Sequence, residues 1–207
     1  MTEISNAGAA IRWHKDILDR MGTYPQYLKQ FSQLGTKFTD RTFQTLDSRI
    51  DQKAKQTCLN YMNKFSDIKW REKNGIILSG DSGIGKTHLA AAISNELINR
   101  RVAVFFVNAP EVYDRIRDEI GNKDYTKATM KSCELLILDD LGKEKRSEWT
   151  DQILYEVVNN RYEAKKPIII TTNYSAKELA TRIDKAVLSR LFEMCVFINM
   201  QGEDRRM

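Results

Sequence analysis

Length, composition and charge exclude several classes of protein. The chain has 207 residues, of which 42% are hydrophobic and 29% are charged, and its formal net charge is +5. This length suits one well-buried domain with a short appendage, and only 3 prolines argue against long disordered tracts. No apolar run is long enough to cross a bilayer, and the N-terminus lacks the apolar centre of a signal peptide. We therefore expect a cytoplasmic protein that has no membrane partner.

The cysteines give no sign of a disulfide framework or a zinc site. Cys58, Cys133 and Cys195 are widely separated and form no CxxC pair. We expect them to be reduced and packed. The basic net charge permits an acidic partner such as nucleic acid, but it does not identify one.

The N-terminal region differs from the rest of the chain. Apolar residues such as Ile11 and Leu18 follow a helical spacing before Pro25 interrupts the pattern. This predicts a short helical N-terminal arm over residues 1–35. A single domain is expected over residues 36–207.

Five short runs rich in β-branched and aromatic residues recur along that domain. They lack the alternation of apolar and polar residues that a half-exposed strand shows, so they predict strands that are buried on both faces. The predicted strands are Ile76–Ser79, Val102–Val107, Leu135–Leu138, Ile168–Thr171 and Cys195–Asn199.

Helical patterns separate these strands. Leu89 and Ile93 fall on one face of the first helix, Pro110 stands in the first turn of the second, and Trp149 begins the apolar stripe of the third. A capping box opens the fourth helix at Ser175. The alternation of strands and helices predicts a three-layer α/β domain with a mainly parallel sheet.

A glycine-rich segment, GDSGIGKT, lies between the first strand and the first of these helices. It fits the pattern G-x-x-x-x-G-K-[ST], in which backbone N–H groups surround phosphates, the lysine supplies a charge and the hydroxyl binds Mg²⁺. We therefore predict a P-loop site for ATP and Mg²⁺. The predicted nucleotide-binding residues of this region are Gly80, Asp81, Ser82, Gly83, Ile84, Gly85, Lys86, Thr87 and His88.

Two acidic residues follow the third predicted strand. Asp139 and Asp140 lie at the C-terminal end of that strand, where the ligands of open α/β sheets bind. We predict that Asp139 holds Mg²⁺ together with Thr87 and that Asp140 polarises the attacking water. The next strand ends in TTN, so the amide of Asn173 is expected beside the same site, where it can orient that water.

With these three elements in order, the sequence resembles the AAA+ ATPases, specifically the replicative helicase loaders of the DnaC and DnaI type and the IstB-like ATP-binding proteins. The segments that carry the resemblance are FTDRTFQTL, GDSGIGKTHLAAAISNEL, LLILDDLGKEKRSEW, NNRYEAKKPIIITTN, LSRLFE and GEDRR. It implies a five-stranded parallel sheet with flanking helices and self-association through the ATP site. By this likeness Asn173 is the sensor 1 residue, Arg190 is the arginine finger that completes a neighbour's site, and Arg205 is the sensor 2 arginine.

The resemblance also implies a function, which is to place a replicative hexameric helicase on single-stranded DNA at the expense of ATP. The acidic pair departs from the Asp-Glu of most AAA+ proteins, so Asp140 reaches less far and we expect slow, partner-stimulated hydrolysis. The N-terminal arm is short and lacks the zinc-binding cysteines of some loaders. Because the chain stops at Met207, no separate lid domain is expected.

Two segments are candidates for contact with single-stranded DNA. In KEKRSEW, Lys143, Lys145 and Arg146 lie beside Trp149, and basic residues next to an aromatic suit a backbone groove with a stacking platform. The alternative is that Trp149 packs in its helix while the charges are solvated. The second candidate is NKDYTKATMK, a predicted loop. The alternative is that this loop is solvated and contacts no DNA. Its basic and aromatic residues are Lys123, Tyr125, Lys127 and Lys131.

Three other functions remain open from the sequence. A transposition helper ATPase of the IstB type shares the fold and acts with a transposase on duplex DNA. A small-molecule kinase uses the same phosphate loop, although the chain shows no arginine-rich lid. A nucleotide-gated adaptor with negligible turnover is the third, because of the short side chain of Asp140.

Overall fold

A computed structural model describes residues 24–119 and 125–205 of the chain. The apolar positions Ile11 and Leu18, on which the helical arm was predicted, lie outside the described residues, as does Lys123. None of the helices in the described part is long and apolar enough to cross a membrane.

The described residues form strands and helices in alternation. The strands are β1 (Gly75–Ser79), β2 (Val104–Asn108), β3 (Leu135–Asp139), β4 (Ile168–Thr172) and β5 (Cys195–Asn199). The helices are α1 (Tyr24–Phe31), α2 (Gln52–Asn63), α3 (Phe65–Ile68), α4 (Lys86–Asn99), α5 (Ala109–Asp118), α6 (Tyr125–Ser132), α7 (Glu148–Glu163), α8 (Ala176–Arg182) and α9 (Lys185–Met194). A short 3₁₀ helix covers Thr36–Phe38.

The five strands form one sheet in the order β2-β3-β4-β1-β5, and every neighbouring pair is parallel. This confirms the predicted sheet. Several boundaries differ from the prediction, most of all the start of β2, which lies at Val104 rather than Val102: the N–H of Val102 still donates to Leu97 O in the turn that ends α4. Strand β1 begins one residue earlier, at Gly75, and β2 ends one residue later, at Asn108. Strands β3 and β4 each run one residue further than predicted, so Asp139 and Thr172 are their last residues.

The sheet is covered on both faces, which explains the missing alternation in its strands. In β1, Ile76 and Leu78 belong to the core on the side of α2 and α4, while Ile77 belongs to the core on the side of α7 and α9. Ile93 of α4 and Val157 of α7, both fully buried, lie in these two cores. The C-terminal ends of the strands, which carry the predicted site, are therefore held in a three-layer frame.

The helix before residue 36 packs on this frame. Leu28 of α1 is fully buried in the core of the α4 side, and the backbone N–H of Phe106 in β2 donates to Ser32 O at 2.8 Å. Residues 24–32 are thus tied to the edge of the sheet. The predicted boundary at residue 35 stays a prediction.

The segment NKDYTKATMK was predicted as a loop, and this is wrong for its larger part, which forms α6. Lys127 and Lys131 both pair with Glu156 of α7, at 3.4 and 3.0 Å, and Met130 is buried against the domain. The apolar pattern was hidden because threonines fill most of the buried face. Tyr125 remains exposed.

Candidate nucleotide-binding site

The turn between β1 and α4 has the backbone of a phosphate-binding loop. We call Gly80–Thr87 the phosphate loop. Gly83 and Gly85 have φ angles of 78° and 99°, which side-chain-bearing residues rarely adopt. A Cβ at Gly85 would lie 2.7 Å from an Nη of Arg205, and one at Gly83 would overlap the carboxylate of Asp204. The positive φ angles therefore favour glycine at both positions, and the side-chain ends of Asp204 and Arg205 occupy the space beside them.

Lys86 is held inside this loop. It is the first residue of α4 and is buried, and its Nζ donates to the carbonyl oxygens of Gly80 at 2.6 Å and Asp81 at 2.5 Å. Burial lowers the pKa of Lys86 to about 8. The ammonium thus lies at the centre of the turn, where a loop of this kind meets phosphates.

Thr87 and Asp139 form a pair of oxygen donors next to the loop. The Thr87 hydroxyl donates to Asp139 Oδ1 at 2.9 Å, and the Thr171 hydroxyl donates to the same oxygen at 2.5 Å. Burial raises the pKa of Asp139. Over the described ranges, no group of three His, Cys, Asp or Glu residues could hold a metal ion alone. A hydroxyl and one carboxylate do fit Mg²⁺, which keeps waters and shares phosphate oxygens in nucleotide sites.

Asp140 follows in an unusual backbone conformation. Its φ is 62°, and its N–H donates to the Thr171 hydroxyl at 2.9 Å. Its carboxylate forms an ion pair with Lys143, with Nζ 2.7 Å from Oδ1. The turn after β3 therefore places Asp140 at the cavity described next.

A cavity of about 510 Å³ lies over the phosphate loop and the ends of the strands. It brings together residues that are far apart in sequence, namely Ser82, Lys86, Thr87, Asp140, Asn173 and Arg205. Asp139 lines an adjoining cavity of about 550 Å³, which also reaches Thr87 and Asp140. The first cavity is thus lined by most of the predicted nucleotide-binding residues, namely Ser82, Gly83, Gly85, Lys86, Thr87, His88 and Arg205. The predicted nucleotide-site residues that line neither cavity are Gly80, Asp81, Ile84 and Arg190.

One wall of the cavity was not predicted. Phe38, Arg41 and Thr45 line it from the segment before α2. His88 connects this wall to α4, since its Nε2 lies 3.1 Å from Thr42 O and 3.2 Å from Thr45 Oγ1. Burial lowers the pKa of His88. The segment FTDRTFQTL was the available signal, but its residues carry no recognisable chemistry.

The C-terminal segment lies across the phosphate loop. The N–H of Met200 donates to Ser79 O at 2.8 Å, and the N–H of Arg205 is 3.4 Å from Gly83 O. The Arg205 guanidinium donates to Arg49 O at 3.4 Å. This places Arg205 at the cavity in its own chain.

Arg190 lies elsewhere. Its Nη1 donates to Ala186 O at 3.1 Å within α9, and its guanidinium carbon is 5.2 and 5.8 Å from the ring centres of Tyr155 and Tyr162. It does not line the cavity of its own chain.

The candidate DNA segment is divided between different partners. Lys143 faces the nucleotide cavity, and Arg146 pairs with Asp151 at 2.9 Å. Trp149 is half-buried, with its ring edge-to-face against a tyrosine of α5 at 6.3 Å and the Arg117 guanidinium 5.1 Å from its centre. Lys145 is exposed. The four residues thus form no shared groove in this conformation.

Comparison with known proteins gives several relatives. XkdC of the phage-like element PBSX, from Bacillus subtilis (strain 168), is 33% identical over 141 residues, 65% of this chain and 53% of that protein. The chain thus spans about half the length of this relative. The putative ATP-binding protein of insertion sequence IS5376, from Geobacillus stearothermophilus, is 29% identical over 200 residues, 93% of this chain and 77% of that protein.

The solved structures confirm the AAA+ P-loop fold. The crystal structure of the DnaC helicase loader superposes with a TM-score of 0.72 and 25% identity, covering 81% of this chain and 100% of that one. The family model described as IstB-like ATP binding protein matches residues 19–207. Because this match covers most of the sequence, the chain belongs to the IstB-like ATP-binding proteins, an AAA+ family related to helicase loaders.

Proposed function

We propose that the chain is a cytoplasmic ATPase that binds ATP with Mg²⁺ and places a replicative hexameric helicase on single-stranded DNA. The observation that carries the ATPase part is the meeting of Lys86, Thr87, Asp140 and Asn173 around one cavity at the carboxyl edge of the sheet. The loader part is supported by the structural similarity of this chain to the whole of the solved DnaC chain.

Nucleotide binding follows from the phosphate loop. Backbone N–H groups of the loop and the N-terminus of α4 receive the phosphates, and the Lys86 ammonium exchanges its carbonyl partners for phosphate oxygens. Thr87 and Asp139 would hold Mg²⁺ through the hydroxyl and the carboxylate that meet beside the loop. When bound, Mg²⁺ neutralises charge on the phosphate oxygens.

Hydrolysis needs three further roles. Asp140 accepts the proton of a water that attacks the γ-phosphate, Asn173 orients that water, and Arg205 contacts the phosphates from the C-terminal segment. The water oxygen bonds to phosphorus as the bond to ADP breaks. Asp140 is one methylene shorter than a glutamate, so turnover is slow until a partner optimises the geometry.

Self-association completes the site. Arg190 does not line the cavity of its own chain, which supports its action on the ATP of a neighbouring copy, where it would neutralise charge that develops in the transition state. ATP then favours assembly, and hydrolysis times the release of the helicase.

A transposition helper is the second candidate, favoured by the relative from IS5376 that aligns over 93% of this chain. In that function the same ATP site controls contact with a transposase on duplex DNA. The two functions share the nucleotide chemistry and differ in the partner protein.

Co-purification separates them. The tagged full chain is mixed with candidate hexameric helicases or with IS21-type transposases, with and without ATP and single-stranded DNA. We expect ATP-dependent capture of a helicase, which the variant Lys86→Ala loses. Capture of a transposase alone would replace the loader function with the helper function. Failure of the wild type to bind ATP would end the proposal altogether.

A further inference from the structure

The turn after β3 presents a second ammonium group to the nucleotide cavity. Lys143 lines the cavity together with Lys86, and its Nζ is 2.7 Å from Asp140 Oδ1. The two side chains of this ion pair are 34% and 26% exposed. The P-loop pattern explains Lys86 but gives no role to Lys143.

The fold fixes the position of this ion pair. The N–H of Leu141 donates to Thr171 O at 2.9 Å, and the N–H of Gly142 donates to the Glu144 carboxylate at 2.8 Å. Gly142 has a φ of 91°, and a Cβ there would lie 2.9 Å from the ring of Tyr174. These backbone contacts place Lys143 beside the cavity.

Lys143 therefore has two possible anionic partners. Without nucleotide, its ammonium neutralises the carboxylate that is proposed to accept the proton of water. A γ-phosphate in the cavity is a stronger competitor, since it offers several charged oxygens to one ammonium. ADP ends one phosphate earlier and lacks this competitor.

We propose that Lys143 is a positioning residue that senses the γ-phosphate. In the nucleotide-free and ADP-bound protein it holds Asp140, and in the ATP-bound protein it moves to the γ-phosphate and leaves Asp140 free to take the proton of the attacking water. This inference rests on the proposed ATPase function. It makes Lys143 a determinant of the preference for ATP over ADP.

The first experiment measures the affinity of the full chain for AMPPCP and for ADP by calorimetry. Lys143→Met is expected to weaken AMPPCP binding roughly tenfold, the value of one charge-assisted hydrogen bond, and to leave ADP binding unchanged. Lys143→Arg should restore most of the preference. Lys177→Met is the matched control, because Lys177 is exposed on α8 and does not line the cavity. Thermal melting verifies that each variant is folded.

A double-mutant cycle with Asp140→Asn tests the exchange of partners. If Asp140 competes for Lys143, Asp140→Asn tightens AMPPCP binding more in the presence of Lys143 than in the Lys143→Met background. If the ion pair persists in the ATP state, Asp140→Asn tightens binding more in the Lys143→Met background, because only an unneutralised Asp140 repels the γ-phosphate. This second result, or an equal effect of Lys143→Met on the affinities for both nucleotides, overturns the inference. A wild type that binds neither nucleotide overturns the proposed function instead.

Discussion

The Thr87 hydroxyl donates a 2.9 Å hydrogen bond to the carboxylate of Asp139, which joins the first turn of α4 to the last residue of β3 across 52 positions of sequence. The contact exists because β1 and β3 end at the same edge of the sheet, on either side of β4. Thr171, near the end of β4, holds the same carboxylate oxygen. The two oxygens are thus preorganised before any cation arrives.

The first prediction concerns this pair. Thr87→Val keeps the shape of the side chain but removes the oxygen, so we expect it to abolish most of the gain in ATP affinity that Mg²⁺ gives to the wild type. Thr87→Ser should retain that gain. Nucleotide affinity measured over a series of Mg²⁺ concentrations distinguishes the variants. An unchanged Mg²⁺ dependence in folded Thr87→Val would remove Thr87 from the metal site.

Lys86→Ala is the second prediction. Its ammonium is expected to contribute one or two charge-assisted hydrogen bonds to phosphates, so the loss should weaken ATP binding roughly 10- to 100-fold. Stability should change little, because the partners of Lys86 in the nucleotide-free chain are two loop carbonyls and burial of its ammonium is itself unfavourable. Fluorescence titration and thermal melting report the two effects. A folded variant with the wild-type affinity contradicts this role for Lys86.

The sequence predicted these two residues because a local pattern and the strand before it carry the information. It also predicted that Asp139 would lie near them, since parallel strands end at a common edge. It did not predict the wall formed by Phe38, Arg41 and Thr45, because their position depends on how an irregular segment packs against α4. Nor did it indicate the ion pair of Lys143, which depends on a turn with two positive φ angles.

The third prediction tests the C-terminal segment. In Gly83→Ala the added Cβ meets the Asp204 carboxylate, and an alanine at positive φ costs about 1 kcal/mol or more. We expect a lower melting temperature and a displaced C-terminal segment. Adding Asp204→Ala to the Gly83→Ala variant should recover the part of the lost stability that is due to the clash, but not the part that is due to the positive φ. Equal losses in the single and double variants would show that Asp204 is not pressed against the loop.

Arg190 gives the fourth prediction. Arg190→Ala and Lys86→Ala should each be nearly inactive as ATPases, since arginine fingers contribute ~10³ to 10⁵ in rate. A mixture of the two should regain activity, because a Lys86 variant can lend its Arg190 to the intact phosphate loop of the other copy. Turnover is measured across mixing ratios after subunit exchange has been verified. Mixed oligomers without any rescue would exclude action between copies.

The last prediction concerns DNA and the segment from Lys143 to Trp149. Each phosphate contact adds ~0.7 to the salt slope of single-strand binding, so removing Lys143, Lys145 and Arg146 together should lower that slope and weaken binding to all sequences alike. Because Lys143 also faces the nucleotide cavity, Lys143→Ala alone is the matched control. The difference in salt slope and affinity between the triple variant and Lys143→Ala is then due to Lys145 and Arg146.

Trp149 separates stacking on a base from packing within the domain. Its ring already lies edge-to-face against a neighbouring tyrosine and below the Arg117 guanidinium, so Trp149→Ala should destabilise the fold by about 2 kcal/mol. A further loss of ~1 to 3 kcal/mol in single-strand affinity, measured well below the melting temperature, is expected only if a base stacks there. Trp149→Phe keeps an aromatic surface and should preserve most of both the stability and the single-strand affinity.

If the triple charge variant retains the wild-type affinity and salt slope, the segment is a solvated helix start. Exposed Tyr125 at the beginning of α6 then becomes the residue to replace next.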